Sequence, residues 1–223
     1  MEDKRINISV VIMAGGFGTR MRKISSSIPK PLIEYMGKPM IENVLNVFIS
    51  QGFNDFHIIL HYKSHIIKSY IEALELPINI KFYIEEDPLG TAGGLKLLKN
   101  NLQETFILCN CDNLGKFDYK MLIDEHTNKG YLVTIPVIEK NYIIPYGIIT
   151  EKDGKFIIIN ENPVKKITIS TGIHIINLRF IDYIEDNEKI DMPKLLNRAR
   201  KDEKIGCIYV DESQWTDMSI INN

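Results

Sequence analysis

The sequence predicts an α/β fold in which a doubly wound, mainly parallel (mixed) sheet is flanked by helices and a β-rich C-terminal part joins the same sheet. Up to residue 137, short apolar runs alternate with segments of helical spacing, the β-α-β-α order that builds a parallel sheet. After Pro145 the rhythm changes to short strands around Asp153-Gly154, a hairpin signal. The 223 residues are 44% hydrophobic and 25% charged, which suits one globular domain and excludes a disordered or collagen-like chain. We expect a single domain in two parts, residues 1–138 and residues 139–223.

Each element has its own signal. Residues 6–13 form a nearly continuous apolar run, as in a strand buried on both faces. Residues 14–30 are glycine-rich, then polar, then closed by proline, and read as a long loop. Residues 40–50 carry Ile41, Val44, Leu45 and Phe48 at helical spacing. Strand 56–61, helix 63–73, strand 80–85, helix 91–98, strand 105–110, helix 117–128 and strand 131–137 come next by the same reasoning. Beyond them, residues 146–150 and 155–160 read as a hairpin. Residues 171–176 and 204–210 read as strands, and 190–199 as a helix.

The net charge is −2, so no overall field draws nucleic acid or an anionic membrane. No apolar run reaches the length of a membrane span, and the first ten residues lack the apolar core of a signal peptide. Cys109 and Cys111 lie two apart on one expected strand, poor geometry for a bridge. Reduced thiols and a cytoplasmic location are therefore expected.

In such folds ligands gather outside the carboxyl ends of the strands. Three segments fall there: Ala14-Gly15-Gly16-Phe17-Gly18-Thr19-Arg20, Pro88-Leu89-Gly90-Thr91-Ala92-Gly93-Gly94 and Cys111-Asp112-Asn113. Glycines in the first loop let backbone N–H groups approach a phosphate. Two of the six arginines, Arg20 and Arg22, fall in this loop with Lys23 and Lys30, a polyphosphate-binding composition. Met21 stands where a dinucleotide fingerprint needs its third glycine, and no Gly-Lys-Ser/Thr comes after it as in a Walker loop. His61 and Glu85 end the second and third strands, near where a base would lie. Trp215, the single tryptophan, reads as core packing rather than ligand stacking.

The segment Gly15-Gly16-Phe17-Gly18-Thr19-Arg20, with Pro29-Lys30-Pro31-Leu32 downstream, resembles the signature of the sugar nucleotidyltransferases. The likeness continues in Gly37-Lys38-Pro39, Leu89-Gly90-Thr91-Ala92-Gly93, Cys111-Asp112, Pro145-Tyr146-Gly147, Ser170-Thr171-Gly172 and Trp215-Thr216-Asp217. It spans nearly the whole chain in order, and is strongest to bacterial sugar-1-phosphate guanylyltransferases of surface-glycan pathways, acting on heptose, mannose or glucosamine 1-phosphate. The resemblance implies a Rossmann-like fold and the reaction of NTP, GTP favoured, with a sugar 1-phosphate to give NDP-sugar and pyrophosphate.

It also implies roles. Arg20 would hold the leaving pyrophosphate, Lys30 the α-phosphate, and Asp112 a Mg²⁺ ion with Asp217 as second carboxylate. Ala14, Gly15, Gly16, Gly18, Thr19, Glu85, Gly90, Thr91 and Gly93 would line the nucleotide. Tyr146, Gly147, Glu161, Asn162, Thr171 and Gly172 would line the sugar phosphate. A homo-oligomer is compatible with this reading.

The chain departs from the family at Glu161-Asn162-Pro163, where a lysine usually occupies the middle position, with Lys165 and Lys166 as nearby substitutes. It also departs at Ser170 and at Met218-Ser219. These leave open a thymidylyl- or cytidylyltransferase of the same fold, a choline phosphate acceptor, or a weakly active nucleotide- or sugar-sensing subunit.

Overall fold

Val10, Val11 and Ile12 are wholly buried, so the first strand has no face to give to water and takes the middle of a parallel sheet. The structure is a computed structural model that describes residues 6–16 and 28–220. In chain order its elements are β1 (Ser9–Met13), β2 (Glu34–Tyr35), β3 (Lys38–Pro39), α1 (Met40–Ser50), β4 (Asp55–Leu60), α2 (Ser64–Ala73), β5 (Asn79–Ile84), β6 (Thr105–Asn110), β7 (Asn113–Gly115), α3 (Tyr119–Lys129), β8 (Val133–Ile143), β9 (Ile148–Lys152), β10 (Lys155–Asn160), β11 (Val164–Ser170), β12 (Ile173–Asn177), α4 (Met192–Ala199), β13 (Ile205–Tyr209) and β14 (Trp215–Asp217).

The main sheet runs β11–β8–β12–β6–β1–β4–β5, with β13 added on β8. β5, β4, β1 and β6 pair in parallel, and so do β8 and β13. β12 runs antiparallel between β6 and β8, which makes the sheet mixed. One apolar cluster joins α1, α2 and α3 to one face, and a second joins α4 and the 3-10 turns 93–98 and 178–183 to the other. Helices on both faces are the doubly wound arrangement. α1 seats itself through Met40, Ile41, Val44, Leu45 and Phe48, a buried stripe at helical spacing.

The structure differs from the expectation in three places. Residues 91–98 form a short 3-10 helix, Gly93–Leu98, rather than an α-helix. Two glycines open it, and a helix beginning with glycines gains little from its own backbone. Val164–Ser170 is a strand outside the expected elements: its first half is exposed and carries Lys165 and Lys166, and only Ile167 and Ile169 are partly buried. Residues 148–160 do not join the main sheet but form a separate β9–β10 ribbon.

Two short pairings tie down the periphery: β2 with β3, and β14 with β7. Cys109 and Cys111 are buried free thiols, and Trp215 packs against the core, both as expected. Among the described residues no helix is long and apolar enough to cross a membrane.

Leu45 is wholly buried beneath α1. Leu45→Ala should lower the unfolding free energy by about 2–5 kcal/mol in a urea titration, the transfer and cavity cost of that deletion. A loss under about 1 kcal/mol would mean that α1 is not seated as described.

Candidate active site

Four parallel strands end together, and the residues just past their ends form one edge: Ala14-Gly15-Gly16 after β1, His61 after β4, Glu85 after β5, and Cys111-Asp112 after β6. The parallel register carries these residues to the same level. Backbone bonds from Ala14 to Ile59, Glu85 to Leu60 and Cys111 to Met13 continue the sheet past the strand ends.

Lys30 enters this edge from a separate segment. Pro29 and Pro31 flank it, and residues Lys30–Leu32 make a 3-10 turn with Pro31 buried, so the lysine backbone is stiff. Its Nζ forms a short ion pair with Asp112 Oδ2, and both side chains are mostly buried. Beside the pair, burial and then the Asp112 charge push the Cys111 thiol up to about 12, which leaves it neutral and unreactive.

Asp217 reaches the same region from the far end of the chain. β14 sets it opposite Asn113, and Met218 N–H donates to the Asp112 carbonyl at 2.9 Å. Its Oδ1 accepts from Ser219 N–H at 2.9 Å and from the Ser219 hydroxyl at 2.5 Å. Among the described residues no cluster of three or more His, Cys, Asp or Glu groups forms a ready cage for a metal. The donor set is two carboxylates, all oxygen, which fits Mg²⁺: that ion is held by one or two carboxylates together with substrate phosphates and water.

Glu85 is the second anomaly. It is buried, and its Oε1 has no hydrogen-bond partner among the described residues. It lies between the two glycine loops: a Cβ on Gly15 would come within 3.1 Å of Oε2, and a Cβ on Gly94 would collide with Oε1. Burial raises its pKa to about 7, partly offset by the nearby His61. The His61 Nδ1 sits 2.9 Å from the Glu85 carbonyl. Sequence reasoning placed Glu85 at this edge and Gly94 in the loop beside it, and the close approach of the two is what the structure adds.

The second glycine loop serves the chain's own packing. Gly90 and Gly93 lie against the carbonyls of Ile190 and Glu188, where a Cβ on either would clash. Thr91 N–H donates to Asp191 Oδ1 at 3.0 Å, and its hydroxyl accepts from Met192 N–H at 2.8 Å, capping the start of α4. The Thr91 hydroxyl is thus occupied by the fold.

On the other side, Thr171 is wholly buried. Its hydroxyl donates to the Pro136 carbonyl at 2.9 Å, and its own carbonyl accepts from Trp215 Nε1 at 2.8 Å. Gly172 (φ +73°) is pressed against the Asn113 side chain, where a Cβ would collide. The register with β8 slips here: Ser170 faces Val137, so Ile175 should face Leu132, yet it faces Thr134. This bulge brings Gly172 beside the segment that bears Asp112. Tyr146 is 71% exposed. Gly147 lies against the Glu161 carboxylate, and Asn162 takes a left-handed conformation (φ +46°) that asparagine tolerates well. Lys166 pairs with Glu139 at 2.5 Å, away from this segment. Gly18, Thr19 and Arg20 lie outside the described residues.

A family model described as nucleotidyl transferase matches residues 9–219. A mannose-1-phosphate guanyltransferase of Gibberella zeae is 32% identical over 185 residues, covering 78% of this chain and 51% of that protein. Mannose-1-phosphate guanyltransferase 2 of Candida glabrata is 31% identical, covering 93% of this chain and 60% of that protein. The chain thus spans between half and two thirds of the length of these relatives. Among solved structures, HddC from Yersinia pseudotuberculosis complexed with GMP-PN superposes with a TM-score of 0.74 at 26% identity, covering 96% of this chain and 95% of that one.

Glu85 makes stability depend on pH in a definite direction. Its folded pKa of about 7 lies above its ordinary value of 4.5, so the folded state binds the proton more tightly. Below about pH 4.5 the residue is protonated in both states and exerts no penalty. Between about 4.5 and 7 the penalty grows, and above 7 it is complete. Urea titrations from pH 5 to 8 should therefore show wild type losing stability relative to Glu85→Gln, by about 1–3 kcal/mol at pH 8. Parallel curves would contradict the burial of this carboxyl.

Proposed function

Because this chain belongs to the nucleotidyl transferase family, we propose that it transfers a nucleoside monophosphate from GTP to a sugar 1-phosphate, with mannose 1-phosphate the first candidate. The Lys30–Asp112 pair at the strand-end edge carries this reading. An ammonium and a carboxylate held there are what a phosphoryl-transfer site needs, because such reactions depend on aligning two anions and offsetting charge on oxygens. The names of the fungal relatives support mannose 1-phosphate and GTP. The GMP-PN complex of the Yersinia protein supports a guanine nucleotide.

In the proposed reaction an oxygen of the sugar phosphate attacks the α-phosphorus in line. The bond from that phosphorus to the bridging oxygen breaks, and pyrophosphate leaves with the bonding electrons. Lys30 turns from Asp112 to the α-phosphate oxygens and offsets their growing charge. Arg20 and the amides of Gly15 and Gly16 hold the departing pyrophosphate. Asp112 and Asp217 are the residues that would hold Mg²⁺. That ion supplies Lewis-acid neutralisation of phosphate charge. Glu85 reads the base: guanine alone offers two adjacent N–H donors on its pairing edge, and a carboxylate accepts both. Gly147, Glu161 and Asn162 line the sugar phosphate, with Tyr146 and Gly172 at its margins. The NDP-sugar product is a donor for a glycosyl-transfer step, and the bacterial surface-glycan setting rests on the resemblance alone.

Coupled pyrophosphate release with each of four NTPs and a panel of sugar 1-phosphates, in Mg²⁺, tests the proposal. GTP with one sugar phosphate should give turnover. Lys30→Ala should reduce it by about 10²- to 10³-fold, the loss typical of removing one preorganised charge. Turnover within a few-fold of wild type would remove Lys30 from the reaction. Glu85→Gln should narrow the preference for GTP over UTP at least tenfold, because a glutamine amide pairs with uracil as well as guanine. An unchanged ratio would take base reading away from Glu85. Asn162→Lys should lower the KM for sugar phosphate by about tenfold, as a charge-assisted bond replaces a neutral one, and leave the KM for GTP unchanged. No change would place the phosphate elsewhere.

A further inference from the structure

Residues 184–191 belong to no helix or strand; they strap the 3-10 turn 178–183 to α4, and the second glycine loop is built on them. Ile190 N–H donates to the Leu89 carbonyl at 3.0 Å, and the Ile190 carbonyl accepts from Ala92 N–H at 3.1 Å and from Gly93 N–H at 3.2 Å. Asp191 takes the Thr91 N–H. Gly93 is pressed on the Glu188 carbonyl, and the next residue, Gly94, is pressed on Glu85 Oε1 and Ile59. Lys96 Nζ, in the turn 93–98, donates to the Ile184 carbonyl at 2.6 Å and lies 3.4 Å from Asp186. The strap therefore sets where the loop stands, and the loop is one wall of the slot that buries Glu85.

The strap has few holds of its own. Ile184 and Ile190 are buried at its two ends, and the residues between them are exposed or half-buried. Arg198, in the last turn of α4, supplies the hold in the middle. Its Nη1 donates to Glu188 Oε2 at 2.8 Å and to the Tyr183 carbonyl at 2.7 Å, and its Nη2 donates to Glu188 Oε1 at 2.5 Å. Glu188 Oε2 also accepts from Glu185 N–H at 3.1 Å. One guanidinium thus ties the start of the strap to its middle, and both to α4, which is seated by Met192, Leu195 and Ala199. The bonds from Arg198 hold the Glu188 carboxyl down to about 2, so the pair stays charged across the working pH range. Isolated surface ion pairs contribute little, but a two-pronged fork within a network fixes geometry as well as charge.

We propose that Arg198 is a positioning residue for base selection: through Glu188 it fixes the strap, the strap fixes the second glycine loop, and the loop closes the slot around Glu85. The link to base selection rests on Glu85 as the group that reads the base, whereas the clamp can be measured without any activity.

Side-chain carbon NMR of the full chain follows the ionisation of Glu85, with its signal identified by its loss in Glu85→Gln. The wild-type midpoint should lie near 7. Arg198→Ala should lower it by about one pH unit or more, because a loosened loop admits water to the carboxyl, while circular dichroism matches wild type. Arg198→Lys keeps the charge but not the fork, and should fall between the two. Glu188→Gln, a milder change at the other partner, should move the midpoint in the same direction. An unchanged midpoint in Arg198→Ala overturns the proposal, as does an unchanged midpoint in Glu188→Gln should Arg198→Ala fail to fold. Initial rates with GTP and with UTP give the second readout. Arg198→Ala should cut the preference for GTP by about threefold or more and leave the KM for sugar phosphate unchanged. A lowered midpoint with an unchanged preference keeps the clamp and takes base reading away from Glu85.

Discussion

Lys30 and Asp112 meet from positions 82 residues apart, and the candidate site is organised around that meeting. Asp112 stands where β6 ends, at the level set by parallel pairing with β1. Lys30 is delivered by a proline-stiffened turn whose buried Pro31 anchors it to the body. A mostly buried pair of opposite charges is costly to break by removing one partner, about 3–5 kcal/mol in general, so the two positions constrain each other. In the proposed reaction the same pair is a store of charge, the ammonium for an arriving phosphate and the carboxylate for a cation. β14 closes the arrangement by hydrogen-bonding the last residues of the chain to the Asp112 backbone.

The two ends of the sheet treat polar groups differently. At the amino end, Asp55 accepts from the Ser9 hydroxyl at 2.6 Å and from Asn79 at 2.7 Å, and His57 Nε2 lies 3.1 Å from the same carboxylate. That network partners its groups and reads as structural. At the carboxyl end, Glu85 keeps a buried oxygen without a partner among the described residues, and a pKa raised to about 7. Folded proteins rarely leave such a group unpartnered without a reason. A difference of this kind within one sheet marks which edge is built for a ligand.

Much of this was legible in the sequence, and the particulars explain why. β1, β6 and α1 were plain because buried strands are continuous apolar runs and a buried helix face repeats at fixed spacing. The strand-end position of Asp112 came from β6, and that of Glu85 from β5. β11 was not legible: its first half is exposed and carries Lys165 and Lys166, and only Ile167 and Ile169 are partly buried. The turn at Gly93 was misjudged because its glycines answer to the carbonyls of Ile190 and Glu188 and to Glu85, contacts distant in sequence. The hydroxyls of Thr91 and Thr171 hold the α4 cap and the Pro136 carbonyl, bonds that residue type alone does not reveal. The left-handed conformation of Asn162 gives a local reason for asparagine there, whatever the phosphate requires.

The central claim is that Lys30 exchanges Asp112 for a phosphate when nucleotide binds. A crystal structure of the chain with Mg²⁺ and a non-hydrolysable GTP analogue tests it most directly. The account predicts Lys30 Nζ within hydrogen-bond distance of an α-phosphate oxygen, with Asp112 facing the metal directly or through one water. A bound analogue with the Lys30–Asp112 pair intact and the phosphates elsewhere would contradict it.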